Sequence, residues 1–133
     1  MFKIRLLQDN DYTTLVKWWN FWKFPAPLKE YLPEEGKSGI IVYKEEIEIC
    51  AGFLFFTNSK MAWLEFIVSN PEYKEKDRKE AICFLISELT HIAKSKGFKI
   101  VFTSVKNKSL INRFKDCGYV VGSENTTELI IQL

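Results

Sequence analysis

Apolar and polar positions along the chain predict strand, helix, three strands, helix, strand, helix and two strands. The clearest segment is Met61-Ala62-Trp63-Leu64-Glu65-Phe66-Ile67-Val68, apolar except for Glu65. A run apolar on both faces reads as a strand in the middle of a sheet. A polar stretch follows, from Ser69 to Lys76. Then Ile82, Leu85, Ile86, Leu89, Ile92 and Ala93 recur at i, i+3, i+4, i+7, i+10 and i+11. That spacing lays one apolar stripe along a helix. Asp77 with Glu80 three residues on is a capping pair, and Gly97 is a stop.

Phe2 to Leu7 reads as the first strand. Asp9, Asn10 or Asp11 caps the next helix, whose core-facing stripe takes Tyr12, Leu15, Val16 and Trp19. Trp18, Trp22, Phe21 and Phe24 then fall on its other faces, and Pro25-Ala26-Pro27 ends it. Leu28 to Leu32 makes one further helical turn before Pro33 and Gly36. Gly39–Tyr43 and Ile47–Thr57 form a hairpin around Lys44-Glu45-Glu46, and Gly52 inside a strand marks a bulge or a close approach of backbones. Lys99–Val105 alternates as a fifth strand. Asn107 caps a short helix with Leu110, Ile111 and Phe114 inward, stopped by Gly118. Tyr119–Val121 and Thr127–Ile131 complete a closing hairpin. A long helix between the fourth and fifth strands implies that those two run parallel. The expected fold is α/β: a mixed central sheet of about six or seven strands with helices on both faces, in a single domain over residues 1–133.

Composition narrows the function classes. The formal charge is +2 over 133 residues, which gives no electrostatic reason to expect nucleic acid as partner. No apolar run approaches about 20 residues, so no membrane span or membrane partner is expected. Cys50, Cys83 and Cys117 are odd in number and far apart. With His91 the only histidine, they fit a reducing compartment, the cytoplasm, better than a disulfide framework or a zinc site.

The tail carries a run of residues with a wider likeness: Val105-Lys106-Asn107, then Leu110, Phe114 and Cys117-Gly118-Tyr119. Together with Ala51-Gly52-Phe53-Leu54 and the stretch from Met61 to Phe98, it resembles the GNAT family of N-acetyltransferases, which bind acetyl-CoA. The family's phosphate-binding motif is Arg or Gln, two residues, Gly, one residue, then Gly or Ala. One register puts Lys74 at the basic position and charged residues at the glycine sites. The preferred register is Arg78-Lys79-Glu80-Ala81-Ile82-Cys83, with the small Ala81 and Cys83 where glycines are usual. A helix start there offers free N–H groups and a positive dipole end to an anion.

The resemblance implies direct attack of an amine, on a small molecule or a protein, upon the acetyl-CoA thioester. It implies main-chain hydrogen bonding around Phe66, Ile67 and Val68, and cofactor contacts at Arg78, Lys79, Ala81, Ile82, Cys83, Asn107 and Phe114. Glu65 is the candidate general base; it is equally read as a satisfied core carboxylate or a residue facing water. Phe114 stands where the family has a tyrosine acid, and a phenyl ring has no proton to give. Asn107 is read as a helix cap or a cofactor contact. Trp18, Trp22 and Phe24 lie where the family builds its acceptor site; they are read as substrate-binding, as a contact in a homodimer, or as packing over the sheet. The alternative function is a catalytically silent module that binds CoA or a protein partner.

Overall fold

The computed structural model describes residues 1–133. Five strands, β1 (Lys3–Leu6), β2 (Ile40–Lys44), β3 (Ile47–Phe56), β4 (Met61–Ser69) and β5 (Ile100–Phe102), form one sheet in chain order. The first three pairings are antiparallel and β4–β5 is parallel. The parallel step is made by α2 (Arg78–Ser95), as a crossover helix requires. The other helices are α1 (Asp11–Phe21) and α3 (Lys108–Asp116), with short 3-10 turns at Lys29–Tyr31 and Pro33–Gly36.

Strand alternation divides the core in two. Ile40, Val42, Cys50, Leu54, Ala62 and Leu64 pack against Ala81, Leu85, Ile86 and Leu89 of α2 and Phe114 of α3. Ile41, Ala51, Phe53 and Val68 pack with Leu15, Trp18 and Trp19 of α1 on the other face. Helices therefore cover both faces. The apolar stripe of α2 is buried at Leu85, Ile86, Leu89 and Ala93, with Ile82 and Ile92 at its edges.

Three expectations change. The closing hairpin does not form: residues 119–133 contain no strand, and Val120, Leu129, Ile130 and Ile131 are more than 80% exposed or close to it. Apolar and β-branched residues favour a strand only where a neighbouring ladder takes them, and β5 is three residues long. The sheet thus has five strands rather than six or seven. The stripe of α1 is rotated: Asp11, Leu15, Trp18 and Trp19 are buried, while Tyr12 and Val16 are half-buried. Asp11 is drawn inward because its carboxylate accepts from Arg5 at 2.8 and 2.9 Å and from the Gln8 N–H at 2.7 Å. The Arg5 guanidinium holds that carboxyl below its ordinary range. Finally, Asp77 sits at the N-cap of α2, but its side chain makes no bond to the helix. It accepts instead from Lys44 at 2.8 Å and from the Tyr73 hydroxyl at 2.7 Å, and so ties the end of β2 to the helix start.

The β2–β3 hairpin turns on Glu45 and Glu46, both at positive φ (50° and 68°). A two-residue hairpin turn favours this backbone, which side chains other than Asn, Asp and Gly resist. Replacing Glu45 by Asn and Glu46 by Gly together is expected to raise stability by about 1 kcal/mol in urea unfolding. A loss of stability would show that the glutamates hold the turn.

Candidate functional site

β4 and β5 pair only at Met61–Ile100, Ala62–Val101 and Trp63–Phe102. The Trp63 and Phe102 rings stack at 5.3 Å, 13° from parallel, where the pairing stops. From there β4 runs on for six residues to Ser69 with a strand partner on its β3 side alone. A wedge opens between the two strands. Glu65 reaches across it: Oε1 accepts long contacts from the Ser104 N–H at 3.3 Å and the Thr103 hydroxyl at 3.4 Å. Burial raises the Glu65 pKa; the two donors pull it the other way but do not cancel the shift.

Beside Glu65 the strand is bulged. Pairing passes from Phe53–Glu65 to Ala51–Val68, so Phe66 and Ile67 together oppose Gly52. Phe66 takes φ 61°, the left-handed conformation that a bulge residue can occupy and that a phenylalanine rarely does. The extra residue switches the strand's faces. Ala62 and Leu64 point to α2, whereas Phe66 and Val68 point to α1. Gly52 stands opposite this bulge, the first of the two uses its place in the strand suggested, and a Cβ there would lie 3.1 Å from Ile67 Cγ1 and 3.2 Å from Leu89 Cδ1.

The second half of the site is the coil-to-helix junction. Asn70 closes β4 by donating from its amide side chain to the Glu48 carbonyl at 2.8 Å and accepting from the Glu72 N–H at 2.9 Å. Tyr73 is buried beneath the loop. Arg78, the first residue of α2, donates to the Ser69 hydroxyl at 3.1 Å and lies 5.0 Å over the Trp22 ring. Trp22 donates its indole N–H to the Ser69 carbonyl at 2.9 Å. Arg78 and Trp22, assigned from the sequence to different ligands, are thus in contact at the end of β4. The N–H groups of Lys79 and Glu80 donate no hydrogen bond within the protein, and both residues are exposed. Such a helix start, with a guanidinium beside it, accommodates a phosphate group. Two open depressions flank Tyr73, lined by residues such as Asn70, Glu72, Lys74 and Glu75. They lie on the loop and include no residue of the wedge.

The remaining candidates are placed as follows. Ala81 is fully buried, and its carbonyl accepts from the Cys50 thiol at 3.7 Å. Ile82 is half-buried against the α2-side core. Cys83 faces α3, where its thiol donates to the Arg113 carbonyl at 3.8 Å. Asn107 is a cap: its side chain accepts from the Leu110 N–H at 2.9 Å. Phe114 is buried at 4% exposure, with its ring edge-on to Tyr119 at 4.9 Å. Trp18 does not spill onto an outer face; it is 6% exposed in the α1-side core, a consequence of the rotated stripe. Trp22 and Phe24 are exposed at 44% and 48%. Ser69, Thr103 and Ser104 were not legible as site residues. Short hydroxyl residues at strand ends carry no pattern of their own.

The raised Glu65 carboxyl makes a pH test available. Between its unfolded value, near 4.5, and its higher folded value, the folded chain binds more protons than the unfolded one. Stability from this group therefore falls as pH rises through that window, and the deficit is complete above the folded value. Glu65→Gln is expected to be more stable than the parent at pH 7, with the gain shrinking to nothing as pH drops below about 4. Urea unfolding across pH checks this, and a pH-independent difference would contradict it.

No protein-family model matches the chain, and no curated protein matches it. Solved structures do match. N-acetylglutamate synthase from Neisseria gonorrhoeae, in complex with coenzyme A and N-acetyl-glutamate, superposes with a TM-score of 0.74 at 15% identity, over 96% of this chain and 30% of that one. The ribosomal-protein-S18-alanine N-acetyltransferase from Escherichia coli gives 0.73 at 15% identity, over 92% and 80%. A GNAT family acetyltransferase from Staphylococcus aureus gives 0.63 at 17% identity, over 97% and 98%. Likeness at these identities is a likeness of fold: the chain, an α/β mixed sheet with helices on both faces, has the fold of the GNAT acetyltransferases.

Proposed function

We propose that the chain is an acetyl-CoA-dependent N-acetyltransferase, a single catalytic domain acting on an amine of a small molecule or a protein. The observation that carries this reading is the parting of β4 from β5 after Trp63, with a bulge at Phe66 and a half-buried carboxylate at Glu65 in the opening. The fold is shared with N-acetyltransferases, one of them in complex with coenzyme A. The chain's residues fit such a co-substrate: the free N–H groups of Lys79 and Glu80, with Arg78 and Lys79, offer phosphate binding at the end of the wedge. When bound, acetyl-CoA supplies a thioester whose carbonyl carbon an amine can attack. The chain's part is positional and electrostatic. The main chain from Phe66 to Val68, which no strand pairs on its β5 side, offers hydrogen bonds along the wedge. Glu65, with its pKa raised by burial, takes the proton from the amine. Exposed Trp22 and Phe24 flank the acceptor side. Three free cysteines and a near-balanced charge fit work in the cytoplasm without nucleic acid.

One observation favours a second reading, a silent module that binds CoA or a protein. Phe114 is packed into the core and brings no hydroxyl to the site, so the departing thiolate must take its proton from water. Calorimetry with acetyl-CoA and detection of released CoA by mass spectrometry across a panel of amines separate the two. The parent is expected to bind acetyl-CoA in the micromolar range, and Arg78→Glu to weaken binding by roughly tenfold or more. Glu65→Gln should bind as the parent does while turnover falls by about a hundredfold. Binding without transfer to any amine would establish the silent module; no binding would end both readings.

A further inference from the structure

Two side chains between α2 and α3 have no part in the chemistry above. Cys83 lies in the second turn of α2, and Cys117 is the C-cap residue of α3. Both are free thiols and both are half-buried, so small reagents can reach them. The Cys117 thiol donates to the Cys83 main-chain carbonyl at 3.6 Å, and the Cys83 thiol donates to the Arg113 carbonyl at 3.8 Å. Cys50, the third cysteine, is fully buried between β3 and α2. Residues 34 positions apart in sequence, on different helices, thus meet, the Cys117 sulfur lying against the main chain of Cys83 and the Cys83 sulfur against the last turn of α3 before Cys117. Two cysteines brought into contact from different elements are the starting point of a disulfide. Cys117 also stands where α3 has ended, just before Gly118 at φ 95°, so its backbone can adjust without breaking a helix.

We propose that Cys83 and Cys117 are a thiol–disulfide exchange site, which takes a small disulfide of the glutathione type and closes to a bond linking α2 to α3. Cys117 gives its proton to solvent, and its thiolate attacks one sulfur of the glutathione disulfide. That disulfide bond breaks, and one glutathione leaves with the electron pair and is protonated by water. Cys83 then loses its proton, attacks the Cys117 sulfur of the mixed disulfide, and displaces the second glutathione in the same way. Two cysteine thiols are oxidised by two electrons, and one glutathione disulfide is reduced to two glutathiones. The order follows from the surroundings. Burial, and then the neighbouring Cys117 thiol, push the Cys83 thiol up to about 11, so Cys83 keeps its proton through the first step.

The test is incubation of the reduced full-length chain with oxidised glutathione, without CoA, followed by intact mass and peptide mapping. The parent should lose two of its three thiols, gain no glutathione, fall in mass by two hydrogens, and give a Cys83–Cys117 linked peptide that dithiothreitol reverses. Cys83→Ser should stop at one glutathione on Cys117. Cys117→Ser should react at least tenfold more slowly than Cys83→Ser. Two separate glutathione adducts on the parent, retention of all three thiols, or a bond involving Cys50 would overturn the proposal.

Discussion

Phe66 holds a left-handed backbone without the freedom of glycine, and the shape of the wedge follows from how it is held. Such a conformation costs a non-glycine residue of the order of 1–2 kcal/mol. It persists because aromatic packing over-determines it. The Trp19 ring meets Phe66 edge-on at 6.4 Å, Phe55 lies at 6.0 Å, and Phe53 stacks on Trp19. Trp19 itself is buried with its indole N–H unpartnered, a further cost of about 1–3 kcal/mol that the packing must offset. Thus α1 acts on the sheet beyond covering it. Through Trp19 it fixes the bulge that reverses which residues of β4 face each side.

The bulge and the divergence of β5 act together. Up to Trp63 the strand is held from both sides; past it, one ladder remains, and the bulge bends that one. What stops the loose end from wandering is Arg78. Its guanidinium bonds the Ser69 hydroxyl, lies over Trp22, and belongs to the first residue of α2. Three elements, the ends of α1 and β4 and the start of α2, meet on one side chain. Lys44, Asp77 and Tyr73 brace the same junction from the β2 side.

Much of this was legible in the sequence, for reasons that can be named. The stripe from Ile82 to Ala93 and the apolar run around Trp63 are long, and each is consistent with one period alone. Gly52 announced a bulge, and Asn107 a cap, because each residue type has few local uses at such a place. The closing hairpin failed because β-propensity at Val120 and Ile130 says nothing about whether a ladder is available. Trp18 was misplaced because two stripes sharing Leu15 and Trp19 fit the helix equally well. The choice between them was made by an ion pair to a residue outside the helix, Arg5 with Asp11. Asp77 looked like a cap until Lys44, 33 positions away, took its carboxylate. Pattern reading sees the period of one element; these outcomes were settled by partners on other elements.

The stacking of Arg78 on Trp22 gives the molecule a built-in optical reporter. Of the four tryptophans, Trp18 and Trp19 are sealed in the core and Trp63 is packed on Phe102, which leaves Trp22 as the most exposed indole. A cation close to an excited indole alters its emission. Whatever draws the guanidinium away from that ring therefore changes the chain's intrinsic fluorescence, with no label attached.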